Sequence, residues 1–353
     1  MKNQTIFVTG GAGFIGSAVV RRLVGAGFRR VVTLDALTYA GHRENLESVA
    51  RAPNHRFAHL DINDADGVRK LFDEERPDAV VHLAAETHVD RSIDGPEAFV
   101  QTNVAGTQRL LEAARRHHAS LEGAERERFR FLHVSTDEVY GSLGPNDDAF
   151  TEASPYRPRS PYAASKAGAD HLARAYHATF GLPVMVTNCS NNYGPYQYPE
   201  KLIPLTILRA LAGERVPVYG DGGNVRDWLH VEDHVTGLLA VLDRGRPGET
   251  YLLGGANERT NLEVVRAVLT TLEGLLSDGI SRQNLIAFVP DRPGHDFRYA
   301  VDAAKAHEEL GWRPRYTFED GMAATVRWYL ENTAWCDAVT AGAYDLGRLG
   351  APA

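Results

Sequence analysis

The chain has 353 residues, 43% of them hydrophobic, with a formal net charge of −8 and a pI near 6.0. This length supports a packed core in one large domain or two closely joined ones. The acidic balance argues against a protein that holds nucleic acid through phosphate contacts, and no apolar run approaches the roughly 20 residues of a membrane helix.

Met1-Lys2 leads straight into the strand-like Thr5-Ile6-Phe7-Val8, so no signal peptide is expected. Strands are predicted at Gln4–Thr9, Arg30–Asp35, His55–Leu60, Ala79–His82, Arg130–Ser135 and Pro183–Asn188. Helical patterns lie between them at Ile15–Val24, Ala65–Glu74, Pro96–His117 and Pro161–Phe180. The charged stretch Ser120–Arg128 reads as a surface loop or a fraying helix end. Alternation of this kind predicts an α/β fold with a Rossmann-type, doubly wound parallel sheet. From Tyr193 onward Pro and Gly become frequent and the elements shorten. The division expected is residues 1–190 for a dinucleotide domain, with some later segments returning to it. Residues 191–340 then form a smaller, interleaved α/β substrate-binding domain. Cys189 and Cys336 are the only cysteines. They suggest neither a disulfide framework nor a zinc site, and a reduced, cytoplasmic setting is expected.

The first strand runs into Thr9-Gly10-Gly11-Ala12-Gly13-Phe14-Ile15-Gly16, and a helical pattern follows. Gly10, Gly13 and Gly16 let the backbone turn tightly and approach a pyrophosphate, which the helix N-terminus attracts. Asp35 ends the next strand, where it can accept hydrogen bonds from the adenosine ribose hydroxyls. Its charge repels a 2′-phosphate, so NAD is expected rather than NADP. Asp61-Ile62 follows the third strand and can meet the adenine. The small residues of Leu83-Ala84-Ala85 let the dinucleotide lie close.

Tyr162 and Lys166 are four apart and share a helix face. A phenol with a pKa near 10 needs about 4 kcal/mol of preferential phenolate stabilisation to act as a base at neutral pH. Lys166 and a positive nicotinamide are the expected sources. The run Phe131 to Gly141 begins as a strand and ends in Thr136-Asp137-Glu138. Two adjacent carboxyls can divide into a protonated acid and an ionised base. His230 and His234 are also four apart, but no third ligand is evident and no metal is expected.

The glycine loop, Asp35, the strand end reaching Tyr140-Gly141 and Tyr162-x-x-x-Lys166 resemble the extended short-chain dehydrogenase/reductase superfamily. Thr136-Asp137-Glu138 is similar to the pattern of its sugar-nucleotide 4,6-dehydratases, where its epimerases usually carry small residues. Further matching runs include Ala84–Ser92, Asn191–Pro195, Pro199–Pro204, Val225–Trp228, Asp291–Asp296 and Trp328–Leu330. The resemblance implies dTDP-glucose as substrate, oxidised at C4, dehydrated across C5 and C6, and reduced at C6. In it Tyr162 serves as the C4 base, Glu138 as the C5 base and Asp137 as the acid. The resemblance also places Phe14, Ile15, Leu37 and Thr38 beside the cofactor. It places Thr87, Thr136, Asn191, Glu200, Lys201 and Leu202 around the glucose and diphosphate. Arg226 and Arg292 would bind the diphosphate, with Asn261, His295, Pro217 and Tyr219 at the nucleotide. It further implies a homodimer through the two long helices. A UDP-sugar dehydratase, a C4 epimerase and a non-catalytic NAD-binding regulator are the alternatives. The acid pair counts against the epimerase, and the retained Tyr162 and Lys166 count against the regulator.

Overall fold

A computed structural model describes residues 2–291 and 293–341. Its centre is a seven-stranded sheet, parallel at every pairing. In spatial order the strands are Thr250–Leu253, Val184–Cys189, Arg130–Thr136, Ala79–His82, Thr5–Thr9, Arg30–Asp35 and His55–His59. The chain starts in the interior of the sheet, winds to one edge, then returns and builds toward the other. The reversal leaves a crevice at the carboxyl ends of the strands, which is where open α/β sheets bind ligands.

Period-two alternation sorts the strand side chains onto two faces. Ile6, Val8, Ala79, Val81, Leu132 and Val134 pack with Val19, Val20 and Leu23 of helix Phe14–Gly25 and with Leu238 and Val241 of helix Val231–Arg244. Phe7, Val32, Val80 and Phe131 pack on the other face. Their partners are Val68 and Phe72 of helix Ala65–Glu75, Leu110 and Leu111 of helix Thr107–Ser120, and Ala173 and Tyr176 of helix Pro161–Phe180. Both faces are covered, which is why these strands read as nearly continuous apolar runs. A third core gathers Ile203, Ile207, Val265, Leu269, Met322 and Tyr329 beside two small sheets. Among the described residues no helix is long and apolar enough to cross a membrane.

Two expectations need correction. The pattern predicted as one helix over Pro96–His117 is an α-turn at Pro96–Phe99, a π-helical stretch at Val100–Gly106 and an α-helix at Thr107–Ser120. Side-chain periodicity does not reveal the change, because the register shifts by a single residue. The π stretch carries Asn103, whose carboxamide clamps both backbone polar groups of Glu86 at 2.8 and 3.0 Å and bonds the Ser165 hydroxyl at 2.8 Å. The charged Ser120–Arg128 stretch includes a regular short helix, Gly123–Arg128, with no buried residue.

Candidate active site

The glycine loop is shaped by backbone contacts that leave no room for a side chain. Gly10 has φ +65°, and a Cβ placed on it would lie 2.7 Å from the Ala84 nitrogen. A Cβ on Gly16 would lie 2.0 Å from the Gly10 carbonyl oxygen. Gly13 caps the helix that opens at Phe14, with no side chain over the helix end. The first-turn N–H groups therefore face the crevice, a cradle suited to a pyrophosphate. Gly10→Ala is expected to cost about 2 kcal/mol or more, from the positive φ and the backbone clash. It should also leave the purified protein nearly free of bound nucleotide. Thermal melts and the nucleotide content of the purified protein check both.

Asp35 is held by two backbone amides, Ala12 N–H on one oxygen and Leu37 N–H on the other, each at 2.8 Å. Burial raises its pKa and these two bonds oppose the rise. Each oxygen retains a lone pair for a ribose hydroxyl. Gly10, Gly13, Phe14, Ile15, Gly16 and Asp35 line one cleft, which continues along Thr38, Asp61, Ile62, Leu83, Ala84 and Ala85. Leu37 does not line it. Its backbone has φ 52°, its side chain packs against the apolar core, and its N–H bonds Asp35.

At the far end the cleft is lined by Thr136, Asp137, Glu138, Tyr162 and Lys166. Strand Arg130–Thr136 ends where Thr136 caps the short 3₁₀ turn Asp137–Tyr140, accepting from Glu138 N–H at 3.3 Å. Ser160 caps the helix that carries Tyr162 and Lys166, accepting from Ala163 N–H at 3.0 Å, and Pro161 occupies its first turn. Tyr162 thus stands at a helix N-terminus, where a developing negative charge is favoured. The Lys166 ammonium donates to the Val134 carbonyl at 2.8 Å.

The Asp137 carboxyl is held well above the usual carboxylate range, first by complete burial and then by the nearby Glu138 and Asp227. Its Oδ2 is buried without a hydrogen-bond partner. A protonated acid with a hydroxyl to donate fits that environment. The Tyr162 phenol is also pushed up, by burial and then by Glu138 and Cys189, although the Thr136 hydroxyl favours the phenolate. In the protein alone, burial and the nearby carboxyls outweigh the contacts that favour the phenolate. Burial lowers the pKa of Lys166 itself, and its ammonium is engaged by a carbonyl.

A second cleft adjoins the first. Thr87, Glu138, Asn191, Glu200 and Lys201 line both. Leu202, Pro217, Tyr219, Arg226, Asn261 and His295 line the second alone. Arg292 lies outside the described residues. Glu138 stands at the junction, and its neighbour Asp137 faces the first cleft. Among the described residues, no group of three or more His, Cys, Asp or Glu that could hold a metal ion includes His230 or His234. His230 stacks on Tyr316 at 4.0 Å, and His234 bonds the Asn192 side chain at 2.9 Å.

The chain matches the family described as GDP-mannose 4,6 dehydratase over residues 7–325. It belongs to that family. Within the GDP-mannose 4,6 dehydratase family, a dTDP-glucose 4,6-dehydratase of Xanthomonas campestris pv. campestris is 58% identical, covering 98% of this chain and 99% of its own length. One from Escherichia coli K12 is 53% identical over 96% of each chain. A dTDP-glucose 4,6-dehydratase from Streptomyces venezuelae, solved with NAD bound, superimposes with a TM-score of 0.87 at 48% identity, covering 95% of this chain and 99% of its own. A UDP-glucose 4-epimerase from Thermus thermophilus, also with NAD, gives 0.81 at 31% identity over 93% and 99%.

Several polar residues behind this dehydratase-family site were missed by sequence reasoning. The Thr9 hydroxyl accepts from the N–H groups of Leu83 and Ala84, both at 3.2 Å, and bonds the His82 ring at 2.7 Å. His82 in turn bonds Thr107 at 2.8 Å, and its complete burial keeps it neutral. Asp170, four residues beyond Lys166, accepts from Tyr156 O–H at 2.7 Å and Asn188 Nδ2 at 3.2 Å and pairs with His133 at 2.9 Å. Asn188 also donates to the Thr136 carbonyl at 3.0 Å, which ties the helix to the end of strand Arg130–Thr136. Burial pushes the Asp170 pKa up, but His133, Lys166 and Tyr156 outweigh it and hold the group ionised. The spacing Tyr162, Lys166, Asp170, Arg174 was the available signal.

Asp170→Leu leaves Lys166 without its counter-charge and is expected to destabilise the fold by about 3–5 kcal/mol. A depressed carboxylate pKa stabilises above the unfolded value near 3.9 and loses that contribution as pH falls through the folded value. The wild type–variant gap in urea melts should therefore shrink in acid.

Proposed function

We propose that this chain converts dTDP-glucose to dTDP-4-keto-6-deoxyglucose and water. The observation that carries this reading is the Asp137–Glu138 pair where the two clefts meet, beside Tyr162. Curated relatives at 51–58% identity named dTDP-glucose 4,6-dehydratase support it. The glycine cradle and Asp35 fit NAD, which when bound accepts a hydride, returns it, and brings positive charge beside Tyr162.

Tyr162 takes the C4 hydroxyl proton as hydride leaves C4, with Thr136 bonding the same oxygen. The C4 ketone acidifies the C5 proton, and Glu138 removes it. Asp137, kept protonated by its surroundings, donates to the C6 hydroxyl, which departs as water. Hydride then returns to C6 and C5 regains a proton. An epimerase needs neither the base at C5 nor the acid at C6. The diphosphate lies on Arg226, whose guanidinium forks onto phosphate oxygens, together with Arg292. Residues 1–190 with returning segments hold NAD, and 191–340 hold mainly the sugar nucleotide. The cytoplasm is the site of action, in keeping with the unpaired, buried Cys189 and Cys336.

The test is to incubate the purified protein, without added NAD, with dTDP-glucose, UDP-glucose or GDP-mannose and identify products by NMR. A 4-keto-6-deoxy product from dTDP-glucose alone is expected. A simple C4 epimer would refute dehydration, and a product from UDP-glucose alone would move the substrate.

The protein acts as a homodimer through the long helices. Val100 and Phe180, on or ending these helical stretches, are 55% and 52% exposed, large apolar surface for a lone subunit. Sedimentation at micromolar concentration should give twice the chain mass, and a monomer would sink this assembly.

A further inference from the structure

The Trp328-Tyr329 motif has no part in the chemistry above, yet it belongs to an aromatic cluster that reaches the cofactor loop from the other end of the chain. We propose that Trp335 and Asn45 form a latch through which the C-terminal helices hold the glycine loop on NAD, making Trp335 a positioning residue for cofactor retention. This rests on the reading that NAD lies along the Gly10–Gly16 loop.

Asn45 is 2% exposed and has both ends of its carboxamide engaged. Its nitrogen donates to the Ala12 carbonyl at 2.7 Å, and its oxygen accepts from the Trp335 indole N–H at 2.8 Å. Ala12 lies in the glycine loop, and its own N–H holds Asp35. Trp335 is thus separated from the ribose-binding acid only by Asn45 and Ala12. Arg21, on the helix that follows the loop, donates to the Asn45 carbonyl at 2.6 Å and lies 4.1 Å over the Tyr196 ring. Tyr196 in turn packs on Trp328 at 4.5 Å and Trp335 at 5.6 Å. Tyr329 donates to the carbonyl of Gln197, whose side of the chain lines both clefts. One aromatic cluster therefore reaches both the glycine loop, through Asn45, and the Gln197 segment that lines the clefts.

The reaction leaves the cofactor as it began, so NAD that stays bound serves successive turnovers. A buried bond to the loop carbonyl opposes the loop opening that release requires. An aromatic cluster with only a packing role would affect melting and leave release alone.

The test measures exchange of bound NAD for isotopically labelled NAD in the holoenzyme by filtration, alongside melting temperature. Trp335→Phe keeps a six-membered aromatic ring in the cluster and removes the N–H together with the five-membered ring, so the double variant with Asn45→Ala separates the lost bond from the lost packing. Exchange about fivefold faster than wild type is expected, the size of one lost buried hydrogen bond. Asn45→Ala should also speed exchange, and the double variant should be no faster than Asn45→Ala alone. Exchange at the wild-type rate in Trp335→Phe overturns the latch, whether or not melting changes, and so does additivity in the double variant. If Trp335→Phe does not fold, Trp335→Leu, which also lacks a donor, is read by the same criteria. Wild-type protein that retains no NAD sinks the cofactor reading itself and the latch with it.

Discussion

Glu138→Gln and Asp137→Asn are each expected to lower water elimination by about 10²–10⁴-fold, the usual contribution of a positioned acid or base, with C4 oxidation much less affected. The two carboxyls differ in a way that separates their roles. Glu138 faces both clefts, whereas Asp137 faces the first and is held protonated by burial beside Glu138 and Asp227. Loss of the C5 base should abolish wash-in of solvent deuterium at C5. Loss of the C6 acid should leave that exchange running while the hydroxyl stays on. NMR of substrate recovered from deuterated buffer distinguishes the outcomes, and the reverse pattern would exchange the two assignments. Asp137→Asn carries a second expectation. A carboxyl whose folded pKa is raised must take up a proton to fold above its unfolded value near 3.9, so it costs stability that grows as pH rises toward the folded value. The variant should therefore melt higher than wild type at neutral pH while losing elimination, and equal melting would contradict the buried-acid reading.

Tyr162→Phe is expected to lower C4 oxidation by about 10²–10⁴-fold with bound NAD retained. Retention follows because the glycine cradle, Asp35 and Lys166 are untouched. The protein alone holds the Tyr162 proton tightly, through burial and the nearby Glu138. Wild-type oxidation in a single turnover should consequently rise with pH as the phenol ionises, and the variant should lack that rise. A variant with the wild-type profile would move the base elsewhere. The same argument makes Glu138→Gln informative at this step, because removing a negative neighbour eases phenol ionisation and should shift the rise to lower pH.

Much of the site was legible in the chain because its signals are local. Glycines at three-residue spacing are demanded by a turn that closes within one strand–helix junction. Asp35 is readable because a strand places its last side chain at a known end of the sheet. Helix pitch puts Tyr162 and Lys166 on one face, and the Thr136-Asp137-Glu138 strand end is what singles that pair out. The π-helical stretch was not readable, since its effect on the apolar pattern is one residue and its purpose, the Asn103 clamp on Glu86, lies elsewhere in the sequence. Leu37 shows the same limit at smaller scale: it lies beside cleft-lining residues in sequence, but its side chain packs against the apolar core.

The sequence by itself determined the parallel α/β architecture, the tight glycine turn and which polar groups stand at the strand and helix ends, because each depends on spacing within one or two elements. Only the tertiary structure decided their electrostatic state. The pKa of Asp137 depends on burial and on Asp227, 90 positions away, and that of Tyr162 on burial, on Glu138 in the 3₁₀ turn and on the Cys189 thiol of another strand. Thr9 with His82, Asp170 with Asn188, and Asn45 with Trp335 likewise become partners only when the sheet and helices assemble. Desolvation and hydrogen bonding act through space, and distance in space is what a local pattern does not encode.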